Sequence, residues 1–230
     1  MELFDGFLKY YNNINDDYLD KDKDKDKDKD KDKDKDKDKD KDKDKDKDKK
    51  KRKNVKNLVF MMRHGDTFKD QTLDYKKYEK QANNNVKNIT KLTNLAKNDD
   101  LDKFIIHCSP YLRCIETAKL LKKKIKEYDP DIDIVIKKDE NLVRWDKKSS
   151  EPREHSIKRA RIYGKEIKKK YLNNNYKNYC YFFITHSSVL FYLIEGLLNK
   201  DINKSKKIKS GAFYVVDHVK SDIVFQDIYS

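Results

Sequence analysis

The sequence predicts an α/β domain, a three-layer α/β/α sandwich with a mostly parallel central sheet, preceded by a disordered charged N-terminal tail. Three observations predict it. Short apolar runs alternate with stretches whose apolar residues recur every three or four positions. Several runs, Leu58–Met62 and Cys180–Thr185 among them, are almost unbroken, the pattern of strands buried on both faces. Basic residues stand at the ends of such runs, where ligands of open α/β sheets bind.

The chain divides by composition. Residues 1–20 form a leader in which Leu3, Phe4, Phe7, Leu8, Tyr10, Tyr11, Ile14 and Tyr18 recur at helical spacing, consistent with a short amphipathic helix or an unstructured lead-in. Residues 21–53 are fourteen Lys-Asp dipeptides followed by the basic flank Lys49–Lys53. Such a repeat buries no apolar surface to offset its ordering entropy and is expected to be a solvated coil. Residues 54–230 are long enough for one core. The leader carries a net −4, the repeat zero and the flank +5, so +13 of the total +14 falls on residues 54–230. A basic domain favours anionic partners. The excess also fits the Lys and Asn bias visible in Asn83–Asn85 and Asn173–Asn175.

Along the domain, residues 57–62 predict the first strand. Ala82, Val86, Ile89 and Ala96 place a helix over 79–97, and Phe104–Ile106 a second strand. Ser109 is a good N-cap and Pro110 suits a first helical position, ahead of the apolar face Tyr111, Cys114, Ile115, Ala118, Leu121 and Ile125. Ile132–Ile136 reads as a third strand. A helix starts near Arg153, Cys180–Thr185 is a fourth strand, and Val189–Leu198 a largely buried helix. Ala212–Val216 and Asp222–Gln226 close as a strand pair. Cys108, Cys114 and Cys180 sit in apolar segments without metal-ligand spacing and read as buried hydrophobes. No apolar run approaches membrane-spanning length.

Three strand ends carry the chemistry: Arg63 with His64, Arg113 one turn into its helix, and His186. Side chains in a first helical turn lean back toward the helix start, which returns Arg113 to the strand edge. In a parallel sheet these ends converge. Two arginines and two histidines would repel one another unless a dianion sat between them, and phosphate fits. His107 lies within a strand and reads as structural; His155 and His218 lie in polar surroundings.

Arg63-His64-Gly65, Ser109–Ala118 and Thr185-His186-Ser187, in that order, resemble the histidine phosphatase (phosphoglycerate-mutase-like) superfamily over residues 55–230. Glu151-Pro152-Arg153 is similar to the phosphoglycerate mutase family member five type of serine/threonine protein phosphatase. The resemblance implies His64 as nucleophile, Arg63 and Arg113 as phosphate ligands, His186 as a phosphate contact, and neither metal nor cofactor. Where the superfamily places a proton-donating glutamate in a Leu-x-Glu word, this chain has Leu142-Val143-Arg144; Glu140, Asp146 and Glu151 are the nearby candidates for that role.

The function expected is hydrolysis of phosphomonoesters through phosphohistidine, on phosphoproteins. The alternatives are a small-molecule phosphatase or phosphoglycerate mutase, and a catalytically weak phosphoprotein-binding module. Nucleic-acid binding rests on charge alone, with no aromatic-basic interleaving. Partners expected are a phosphorylated protein or small phosphomonoester and a second copy of the chain. The location expected is cytoplasmic. The resemblance suggests mitochondrial association, and Lys49–Lys53 is similar to a nuclear localisation patch.

Overall fold

The structure, a computed structural model, describes residues 58–93, 101, 103–145, 151–172, 179–202 and 208–226, all within the unit Arg52–Ser230. The leader, the Lys-Asp repeat and Asp146 lie outside the described residues. In chain order the elements are β1 (Leu58–Arg63), α1 (Tyr75–Thr93), β2 (Lys103–Cys108), α2 (Leu112–Tyr128), β3 (Asp133–Lys138), α3 (Arg153–Ile167), β4 (Tyr179–Thr185), α4 (Ser187–Leu198), β5 (Phe213–Asp217) and β6 (Asp222–Gln226). The strands form one sheet in the order β3-β2-β4-β1-β5-β6. The first four are parallel, and β5 and β6 run antiparallel to their neighbours. The expected sandwich is the one observed.

Alternation along each strand builds two cores. Val59, Met61, Ile105, Tyr181 and Phe183 face α3 and α4, where they meet Tyr163, Ile167, Leu190 and Leu193. On the opposite face Phe60 stacks on Phe182 at 4.6 Å, and Phe104 and Phe213 pack around that pair. Helices α1 and α2 cover this face with Tyr78, Ala82, Val86, Cys114, Ala118 and Leu121, all fully buried. α3 and α4 cross at Gly164 and Gly196. A Cβ on Gly196 would lie 2.0 Å from the Arg161 carbonyl oxygen, so only glycine permits that approach.

Several boundaries differ from the sequence pattern. α1 starts at Tyr75, because the Asp74 carboxylate accepts from the Lys77 N–H at 3.1 Å and caps it there. α2 starts at Leu112, after the expected cap: the Ser109 hydroxyl faces His186 instead. α3 runs on into a π turn over Lys168–Leu172, which keeps Tyr171 and Leu172 against the core. His218, expected in polar surroundings, is buried beside the turn that Asp217 caps through the Val219 and Lys220 N–H groups. His107 lies in β2 as expected, between the rings of Phe183 and Tyr171 and 3.3 Å from Asp139. All three cysteines are buried free thiols. Among the described residues no helix is long and apolar enough to cross a membrane.

Candidate active site

The sheet order sets the site. β2, β4 and β1 are adjacent and parallel, so their carboxyl ends lie side by side. Backbone bonds hold the exits together: His64 N–H donates to Thr185 O and Ser109 N–H to Ile184 O, both at 3.0 Å. The loop after β1 is fixed from α2. Gly65 N–H donates to Thr117 Oγ1 (3.0 Å) and Leu73 N–H to Glu116 Oε2 (2.8 Å). A Cβ on Gly65 would come within 2.5 Å of the Tyr78 ring, so the turn beside His64 must be glycine.

Arg113 is the centre of the cluster. It is 3% exposed, and its guanidinium donates in three directions: Nε–H to His64 Nε2 (3.2 Å), Nη2–H to His186 Nδ1 (3.2 Å) and Nη1–H to Gln71 Oε1 (3.1 Å). These bonds define both tautomers, since arginine only donates. His64 Nδ1 donates to the Gly65 carbonyl at 2.8 Å, leaving Nε2 with the lone pair. His186 carries its proton on Nε2, 3.1 Å from Ser109 Oγ and 3.6 Å from Cys114 Sγ. The two imidazoles meet edge to face at 5.2 Å.

Each ring therefore carries one proton and one lone pair. Burial, with the charges of Arg113, Arg63 and Arg144 behind it, lowers the pKa of His64 to about 3. Burial, the neighbouring His64 and the same arginines lower that of His186 to about 2. Burial also lowers the pKa of Arg113, with Arg144 the next cause. Arg63 donates through Nη1 to the Ile208 carbonyl, and its buried Nε–H has no partner among the described residues, a donor that an anion can satisfy. His186 is the N-cap of α4, so the first N–H groups of that helix follow it directly and favour negative charge there.

The acid limb of stability follows. Ordinary histidine titrates near 6.5, and these two do so near 3 and 2 in the folded chain. Between those values the unfolded chain binds protons that the folded chain refuses, so stability falls as pH falls through 6.5 toward 3. His186→Asn is expected to flatten the decline of Tm across that window relative to the parent chain. An unchanged slope would contradict the buried neutral state.

Of the residues read from sequence, Arg63, His64, Arg113 and His186 come together. Glu151 is ion-paired: its carboxylate accepts from Arg159 Nε at 3.1 Å and Nη2 at 2.9 Å, and Arg159 lowers its pKa. Glu140 is exposed in the turn after β3. Three further residues at the site are not evident from sequence. Tyr111 reads as helix core, yet its ring lies 4.8 Å under the Arg113 guanidinium and 5.9 Å from that of Arg144. Gln71 holds Arg113 from a loop where its own φ is +72°, left-handed backbone in a non-glycine residue at a site. Arg144 bears electrostatically on both histidines. Its signal was the Leu142-Val143-Arg144 segment, where the resembled motif has a glutamate. Among the described residues no group of His, Cys, Asp and Glu could hold a metal ion.

No protein-family model matches the chain, and no curated protein matches it. Among solved structures it is similar to YhfR of Bacillus stearothermophilus, at 17% identity over 69% of this chain and 90% of that one, with a TM-score of 0.46. It is also similar to phosphoglycerate mutase from Bacillus anthracis (15% identity, 76% and 92% covered, TM-score 0.46). A third similarity is to phosphoglycerate mutase from Plasmodium falciparum (18% identity, 70% and 86% covered, TM-score 0.44). Likeness at this level assigns no activity to the chain.

Proposed function

We propose that the chain is a phosphomonoester hydrolase that works through a phosphohistidine on His64, and that it acts on phosphoproteins as a serine/threonine protein phosphatase. The observation that carries this reading is one buried guanidinium, that of Arg113, set against the lone pairs of two neutral histidines. His64 Nε2 attacks phosphorus; a P–N bond forms, and the bond to the leaving oxygen breaks with its electron pair on that oxygen. Arg63 and Arg113 neutralise the equatorial oxygens, and positioning supplies most of the remaining acceleration. His186 contacts the same oxygens. Water then attacks phosphorus, the P–N electron pair returns to His64, and orthophosphate leaves. Because the pKa of His64 is lowered to about 3, Nε2 needs no general base at neutral pH, and its lone pair is released when Arg113 turns its N–H groups to the phosphate oxygens.

Two features support a protein substrate. The loop over residues 66–74 is short and tied by the Thr67–Leu73 bridge, so it forms no deep lid. Phe68 in this loop and Leu112 beside Arg113 are each 54% exposed, apolar groups next to a basic cluster. The proton for the leaving group is less well supplied. Arg159 pairs with Glu151 and lowers its pKa, and Arg144 stands where the resembled motif has its glutamate. That favours leaving groups of low basicity. The test is an assay of the purified chain on phenyl phosphate, a phosphothreonine peptide and phosphoglycerates. Release of orthophosphate from the first two is expected, faster from phenyl phosphate because phenoxide is the less basic leaving group. Interconversion of phosphoglycerates without hydrolysis of either would overturn the proposal.

A further inference from the structure

Arg144 stands in the cluster because its backbone is held there. Arg159 donates to the carbonyls of Asn141 (2.7 Å) and Val143 (3.0 Å), and Glu151 anchors Arg159 from the other side. Thr185 Oγ1, at the end of β4, donates to the Leu142 carbonyl at 2.6 Å. Asp139 caps the turn that leads in, accepting from Asn141 N–H at 3.0 Å. The Tyr111 ring, in edge contact with His186 at 5.1 Å, lies close to both the Arg113 and Arg144 guanidiniums. Three arginine charges therefore bear on His64 and His186. Among the described residues no hydrogen bond of Arg113, His64 or His186 goes to a carboxylate.

A monoester dianion is matched by Arg63 and Arg113. A third permanent cation beside them suits a substrate with more anionic oxygens. Arginine cannot protonate a departing alkoxide, but its paired N–H groups stabilise a departing oxyanion. We infer that the same site also hydrolyses phosphoric anhydrides, with Arg144 holding the phosphate that leaves. The inference rests on the phosphohistidine reading above. In the step, His64 Nε2 bonds to the terminal phosphorus and the bridging P–O bond breaks. Its electron pair stays on the departing phosphate, whose low basicity requires no proton. Water then cleaves the P–N bond, so one anhydride and one water give two phosphates, with the water's protons shared between products and solvent.

The test compares inorganic pyrophosphate with phenyl phosphate, in chelator so that a contaminating metal-dependent pyrophosphatase contributes nothing. The full chain is expected to hydrolyse both. In Arg144→Ala the ratio of kcat/KM for pyrophosphate to that for phenyl phosphate should fall at least about tenfold, the scale of one charge-assisted contact. Arg144→Gln, closer in shape, should shift the ratio the same way and guards against misfolding of the first variant. If phenyl phosphate is hydrolysed and His64 becomes phosphorylated, but pyrophosphate is not cleaved or the ratio is unchanged in both variants, the inference fails alone. If neither compound is hydrolysed and His64 takes no label, the phosphohistidine reading fails and the inference with it.

Discussion

His64→Ala is expected to abolish hydrolysis of phenyl phosphate, a loss on the order of 10⁶-fold, the scale seen when a covalent nucleophile is removed. The magnitude follows from the tautomer. His64 Nε2 is the lone pair that Arg113 addresses, and Nδ1 is committed to the Gly65 carbonyl. His186 cannot substitute by position, because its own lone pair, Nδ1, meets a different nitrogen of the same guanidinium and its Nε2–H is held at Ser109. His186→Ala should therefore slow both formation and breakdown of the intermediate without removing the acceptor. Steady-state rates for both variants check this. A His64→Ala enzyme within tenfold of the parent would contradict the account.

Arg113→Ala should be the next most damaging change, with kcat falling by about 10²–10³-fold or more, as when a preorganised donor to transition-state charge is deleted. Arg113→Lys separates charge from geometry. A lysine keeps the charge but not the fork that reaches His64, His186 and Gln71 together, so most of the loss should remain. Arg113→Ala also leaves both buried histidine acceptors without their donor, a cost of about 1–3 kcal/mol for each group left unsatisfied. A fall in Tm should accompany the fall in rate. Full activity in Arg113→Lys would show that charge alone suffices there.

Much of the fold was legible because strands and helices impose different periods. Leu58–Met62 and Cys180–Thr185 read as interior strands from their almost unbroken apolar runs, and the ends of β1 and β4 located Arg63, His64 and His186. Arg113 was legible from helix geometry, one turn beyond Ser109. What escaped depends on tertiary contact. Ser109 and Pro110 satisfy every local rule for starting a helix, yet the Ser109 hydroxyl pairs with His186 and the helix starts at Leu112. Gln71 is an exposed polar residue in a loop, and nothing in its neighbours announces a left-handed backbone aimed at Arg113. Arg144 departs from the resembled motif, and only its packing beside Tyr111 shows that the departure lies within the cluster. Glu151 reads as a free acid in the sequence, but Arg159, eight residues on and nearly two turns inside α3, reaches back to pair with it.

Locating the phosphoryl group decides which histidine, if either, is the nucleophile. The chain is mixed with phenyl phosphate, quenched in alkali within one turnover, and the labelled peptide is identified by mass spectrometry, with the ring nitrogen assigned by phosphorus NMR. Phosphate is expected on His64, at Nε2. Phosphate on His186, or steady turnover with no phosphohistidine in the quenched chain, would contradict that assignment.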